Sequence, residues 1–257
     1  MNLKRTARLI LPPSAALALC GCALGFNMNA NRFDSPETRG ERFKAHVEPL
    51  NLTGSNTLLV VPDLTATPIQ INAPGFDRSS VSYRLSGGVG VFEDLDVDLK
   101  LSWNGPAMLQ AKYQILGAHE LQTRSGNIGL AITGAAGFAL PGGDANNPVT
   151  GLSGRYDLQY TSYDFALIAG ARVAETFMLY GGPFITSVGY SGKLTQNGAS
   201  AVSFPISGNA VQSGANLGVQ FDSVLTSITL EEAWALASAS GNARAGFYTG
   251  LSLGYRF

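Results

Sequence analysis

The sequence predicts an all-β fold: a transmembrane, antiparallel, up-and-down β-barrel of about ten strands, with eight as the alternative count. Three observations predict it. Segments of apolar/polar alternation recur through residues 43–257, the period of a strand with one oily and one polar face. Charged residues make up only 14 % of the chain, too few for a soluble surface, where about 25 % is usual. Gly supplies 31 of 257 residues, well above the usual share of about 7 %. Beyond the N-terminal stretch no apolar run reaches the roughly 18 residues of a membrane-spanning helix. The formal charge of −1 is too small to suggest nucleic acid as a partner.

The elements follow in order. Residues 27–40 form a polar, Asn-rich leader, and residues 43–48 alternate strictly as a first strand. A Pro-containing connection, 51–77, leads to a strand over 80–92, where Val81, Tyr83, Leu85, Val89 and Val91 share one face. Glu93-Asp94 turns the chain into 95–103, the cleanest alternation of all, and Asn104-Gly105-Pro106 turns it back into 109–116. Further strands are expected over 127–140, 160–173, 176–190, 210–221, 225–237 and 244–257. Tight turns at 93–94, 174–175 and 222–223 alternate with Gly/Asn-rich connections at 141–154 and 192–209. Short turns at one end and long loops at the other suit a membrane barrel. Two connections break the rule: 117–126 is too long for a turn, and 104–106 is too short for an outer loop.

At the C-terminus Leu251, Leu253, Tyr255 and Phe257 fall on one face, and Ser252, Gly254 and Arg256 on the other. This strand resembles the closing strand of Gram-negative outer-membrane β-barrels, and the resemblance makes Tyr255 and Phe257 the signal read by the barrel assembly machinery. From Phe247 to Phe257 is about 33 Å at roughly 3.3 Å per residue. Tilted by about 40°, that projects to about 25 Å, the height of a lipid-facing band between aromatic girdles.

At the N-terminus Lys4, Arg5 and Arg8 precede a short apolar stretch over 9–19, as in an export signal. Leu19-Cys20-Gly21-Cys22 resembles a bacterial lipobox with Cys22 as the acyl acceptor; ordinary cleavage after Ala23-Leu24-Gly25 is the alternative. Both cysteines lie here, so the rest of the chain has no thiol for a disulfide or a metal. The expected organisation is a signal peptide over 1–21, a lipid-anchored polar leader over 22–42 and a barrel over 43–257. The location implied is the cell outer membrane, with its lipid and the assembly machinery as partners and an unspecified extracellular partner for the loops.

The strand parity points Arg84, Asp96, Asp98, Lys100, Lys112, Arg172, Glu231 and Arg244 inward, with Lys44, His46, Glu48, Arg256 and several Gln and Asn residues. About ten strands leave little room once side chains fill the ring, and buried charges must be paired or hydrated. These residues are therefore expected to satisfy one another, with Lys100 near Asp96 or Asp98 and Arg84 across the hairpin. The other reading is a narrow gated path or a small-ligand cavity. No catalytic constellation, cofactor loop or metal-ligand spacing stands out. His46 reads as a hydrogen-bonded lumen residue and His119 as a solvated turn residue.

Overall fold

The computed structural model describes residues 24–257, apart from 42, 61, 64–69, 72–74, 123, 141, 147–152 and 198–201. The export signal and Cys22 lie outside the described residues. The strands are β1 (Leu24–Asn29), β2 (Ala45–Val60), β3 (Pro62–Asp63), β4 (Gln70–Ile71), β5 (Gly75–Phe92), β6 (Leu95–Ser102) and β7 (Ala107–Leu116). They continue with β8 (Ile128–Ala139), β9 (Gly142–Asn146), β10 (Ser153–Ala174), β11 (Phe177–Asn197), β12 (Val202–Asp222), β13 (Thr226–Ala239) and β14 (Asn242–Arg256). Ten of them, β2, β5 to β8 and β10 to β14, pair antiparallel with their neighbours in the chain. The last closes on the first, with Leu251 opposite Leu52 and Arg256 opposite His46. The ring is a closed barrel.

Its outer face is apolar. Leu99, Leu101, Leu109, Tyr113, Phe165, Leu217, Leu230 and Phe247 are among the large side chains left exposed. A surface this oily on a closed barrel is the lipid-facing band of a membrane protein, because in water it would be an aggregation hazard. Glu232 lies on this outer face, as its parity requires, and accepts a 2.6 Å hydrogen bond from Thr249. Trp103, in the turn after β6, and Trp234, on β13, are exposed toward the outer end, and Tyr255 and Phe257 mark the opposite end. Phe257 donates its backbone N–H to Ala45, tying the C-terminus to the start of β2.

Where strand ends differ from expectation, tertiary packing is the cause. The first strand begins at Ala45 rather than Phe43, which is exposed and left-handed (φ 63°) where the chain turns from the lumen into the wall. It continues to Val60, through residues expected to be a connection. The described residues of the connections expected over 141–154 and 192–209 are strand: β9 pairs with the start of β10, and β11 and β12 stay in register up to Gln196 opposite Val202. Only Val211–Asp222 of β12 pairs with β13, so the upper parts of β10, β11 and β12 rise above the ring as a tongue. Its inner face carries Leu158, Tyr160, Val188, Tyr190, Leu194 and Ile206, all buried. Burial of that face sustains pairing through Gly- and Asn-rich sequence that would not hold a strand alone.

Candidate functional site: a lumen filled by the leader

Residues 26–39 lie inside the barrel. The leader descends from β1, at the level of Val60 on β2, to Gly40 against His119 at the tight-turn end. Its sequence explains its fold. Phe26, Met28 and Ala30 alternate with Asn27, Asn29 and Asn31, so β1 shows one apolar and one polar face. Above Leu52, β14 no longer pairs with β2, and β1 takes up that edge from Ser55 to Val60.

The upper lumen is an apolar core. Phe26 stacks on Tyr160 with ring centroids 4.3 Å apart, and Met28 and Leu58 pack into the same cluster with Val188, Tyr190 and Ile206. Backbone polarity is satisfied locally: Asn27 donates its N–H to the Asn104 carbonyl at 2.8 Å, and Ala30 to Gly54 at 3.0 Å. The short 103–106 connection thus serves as the low rim on which the leader rests. Asn56 reaches across the lumen to Gln212 at 2.9 Å, so the upper part of β2 also turns inward.

Below Ala30 the chemistry changes to charge. Glu231, fully buried, accepts the backbone N–H groups of Arg32 (2.6 Å) and Phe33 (2.9 Å) and the Tyr180 hydroxyl (2.9 Å). These bonds hold Phe33 in the left-handed region at φ 56°, a conformation that costs a bulky residue about 1–3 kcal/mol. Arg32 pairs with Asp164 at 2.9 Å and lies over the Phe184 ring. Arg84 donates to the Arg32 carbonyl at 2.7 Å. Lys100 pairs with Asp34 at 2.8 Å, and Gln110 donates to the same carboxylate at 3.0 Å. Arg172 grips Glu37 through Nε (3.2 Å) and Nη2 (2.5 Å), the two-pronged geometry that makes Arg–carboxylate pairs strong. Lys112 donates to the Glu37 carbonyl at 2.7 Å and stands 3.4 Å from Asp96. Arg39 lies 3.1 Å from Asp96 and 3.4 Å from Asp98.

Of the charged residues expected inward, Arg84, Asp96, Asp98, Lys100, Lys112, Arg172 and Glu231 are buried inside, Lys44, Glu48 and Arg256 are half-buried, and Arg244 is not inside. It stands exposed at the outer end, where it donates to the Phe76 carbonyl, because β14 at that height has risen out of the lumen. The expected partners are also corrected. Lys100 pairs with Asp34 and not with Asp96 or Asp98, and the wall charges divide between the leader (Asp34, Glu37, Arg39 and the backbone at Arg32 and Phe33) and one another, as in Arg172–Asp222 at 2.9 Å and Lys112–Asp96 at 3.4 Å. Parity alone does not supply those partners, because the leader lies ahead of the barrel in the strand pattern. Arg32, Asp34, Glu37, Arg39, Asp164 and Asp222 went unassigned. The signal that could have found them is the strand-like alternation of residues 26–31, followed by charges of both signs facing a mixed-sign lumen.

The wall makes room for this segment with glycine. A Cβ at Gly170 or Gly129 would press within 3.0 or 3.1 Å of Pro36, and one at Gly250 would come within 2.5 Å of Phe33. At the tight-turn end the 117–127 connection packs against the leader, through His119 at Thr38 and Gly40. His119, expected to be solvated, is mostly buried there, with Nδ1 3.0 Å from Thr38 Oγ1 and Nε2 3.4 Å from Asp94. Thr38 is fully buried, and its hydroxyl donates to the Glu93 carbonyl at 2.7 Å. His46 meets Arg39 at 2.8 Å and the Gly88 carbonyl, which fills the lumen role expected of it. Among the described residues no cluster of His, Cys, Asp and Glu could hold a metal ion.

Two voids remain around the leader, of about 60 Å³ beside Glu37, Arg39 and His46 and about 30 Å³ beside Asn29 and Arg32. Each has room for no more than a few water molecules. An open basin of about 560 Å³ lies below, lined by Arg39, Lys44, Glu120, Arg172, Asp222 and Arg256.

Comparison with solved structures finds barrels. The crystal structure of Ail, the attachment invasion locus protein of Yersinia pestis, in complex with the heparin analogue sucrose octasulfate, is 15 % identical with a TM-score of 0.36. It spans 84 % of this chain and 100 % of that one. A second structure of Ail is 14 % identical over the same shares, with a TM-score of 0.30. No protein-family model matches the chain, and no curated protein matches it. The overlap is loose, and the barrel rests on its own strand pairing.

Proposed function

We propose that this chain is a non-enzymatic outer-membrane β-barrel lipoprotein with a structural or surface-interaction role. The observation that carries the reading is the filled lumen: the leader occupies it from Phe26 to Arg39, and the charges that would line a channel are spent on the leader. The apolar outer face supplies the contact with outer-membrane lipid, and exposed Tyr255 and Phe257 are the residues offered to the barrel assembly machinery. In the lipoprotein reading the Cys22 sulfur forms a thioether with the diacylglyceryl carbon of a phospholipid; the phosphate headgroup leaves and takes the thiol proton. The tongue of β10, β11 and β12 is the part that meets an extracellular partner. Its exposed residues, among them Arg155, Asp157, Lys193 and Asn209, are polar.

Planar-bilayer recording tests this. The unmodified protein is expected to give little or no conductance, and stable porin-sized openings would promote the alternative, a narrow gated pore. That second reading is favoured by one observation: the lower leader is held mainly by ion pairs and hydrogen bonds, contacts for which water entering the lumen could substitute, as it could not for apolar packing. Labelled palmitate incorporation that disappears in Cys22→Ser is expected for the lipoprotein reading.

A further inference from the structure

The direction of the leader fixes where its upstream end emerges. The tight-turn end of the barrel carries the C-terminus and the start of β2, and short turns mark the periplasmic side of such barrels. The leader runs from Gly40 at that end to Leu24 opposite Val60, fifteen residues beyond Ala45 along β2. At about 3.3 Å per residue and a tilt near 40°, this is a rise of about 38 Å, more than the roughly 25 Å lipid band. A second marker agrees. Asn27 is bonded to Asn104, on the outer rim beside the exposed Trp103, and exposed Gly25 lies two residues further out. Cys22 precedes Leu24 by two residues, which reach at most about 7 Å.

From this geometry we infer that the protein delivers its own N-terminus to the cell surface through its lumen, and that the acyl chains of Cys22 anchor in the outer leaflet of the outer membrane. The inference rests on the lipoprotein reading for the anchor and on the leader's path for the leaflet. A chain bound at Leu24 cannot return an acyl group to the periplasmic leaflet, because two residues cannot recross the lipid band. Lys100, Arg172 and Glu231 hold the leader from different strands. The ligand is a lipid surface, reached from outside.

The test uses the full-length precursor expressed in cells. Gly25→Cys places a thiol at the outer end of the leader, and Val224→Cys places one in the opposite turn, where Val224 is exposed. Intact cells are treated with a membrane-impermeant maleimide, and the N-terminus of the mature protein is identified by mass spectrometry. The inference expects an acylated Cys22, labelling of Gly25→Cys on intact cells, and labelling of Val224→Cys only after the outer membrane is permeabilised. Acylated Cys22 with Gly25→Cys labelled only after permeabilisation would overturn the inference and leave the lipoprotein reading standing. A mature N-terminus at Phe26 would overturn both. If Gly25→Cys fails to assemble, a short epitope inserted after Cys22 gives the same readout, antibody binding on intact cells supporting the inference and binding only to permeabilised cells overturning it.

Discussion

Above Ala30 the leader is held as a strand of an apolar core; below it, the same segment is held as a ladder of charges. Phe26 and Met28 meet Tyr160, Leu58 and Val188, whereas Asp34, Glu37 and Arg39 meet Lys100, Arg172 and Asp96. The two halves do different work. Apolar burial in the upper half is non-directional and contributes stability roughly in proportion to area. The lower half gains less net energy, because each desolvated ion gives back most of its Coulombic attraction, but it is unforgiving of a missing partner. It therefore fixes the register of the leader more than it stabilises the barrel.

Removing one partner from the lower half should have the largest effect. Asp34→Ala strips the only carboxylate paired with Lys100 among the described residues, and is expected to cost about 3–5 kcal/mol if the ammonium stays dry. Equilibrium unfolding of the detergent-folded protein measures it; a loss below about 1 kcal/mol would mean that water reaches the pair. Phe26→Ala in the upper half should cost about 3 kcal/mol, the low end of the range for a buried aromatic, since part of its ring contact is with one neighbour. Raising the salt concentration should leave that cost unchanged.

Glu231→Gln should come next, at about 1–3 kcal/mol, because the amide retains one good acceptor where the carboxylate offers two to Arg32, Phe33 and Tyr180. The same assay reads it, and an unchanged midpoint would show that the left-handed bend at Phe33 does not need both oxygens. The paired replacement Asp34→Leu with Lys100→Met sharpens the comparison further. It converts a lower-half contact into an upper-half one, and should recover most of what Asp34→Ala loses. Arg244→Ala should change stability by less than about 0.5 kcal/mol, as expected for an exposed residue outside both halves.

How much of this was legible in the sequence follows the same division. Every wall strand announced itself by alternation, because lipid outside and polar lumen inside impose a period of two on each. The buried charges Arg84, Asp96, Asp98, Lys100, Lys112, Arg172 and Glu231 followed from that parity. Arg244 failed because parity gives direction and not height. The partners of the lumen charges were out of reach, since Asp34 and Lys100 are joined only once a segment outside the strand pattern is folded into the ring. Residues 26–31 carried a strand signal, but six residues with three Asn also describe a solvated linker. Only the complementary charges on the opposite surface distinguish the two.

The leader's place in the lumen is tested most directly by a disulfide across the β1–β2 pair. Asn27 and Thr57 face each other in register, with Thr57 Oγ1 2.7 Å from Asn27 Oδ1. In Asn27→Cys/Thr57→Cys, assembled in cells and oxidised in isolated outer membranes, the two thiols are expected to form an intrachain bond in nearly every molecule. Reduction should restore two alkylatable thiols without unfolding the barrel. Thiols that stay free and react with maleimide in the assembled barrel would place the leader outside the lumen and contradict the account.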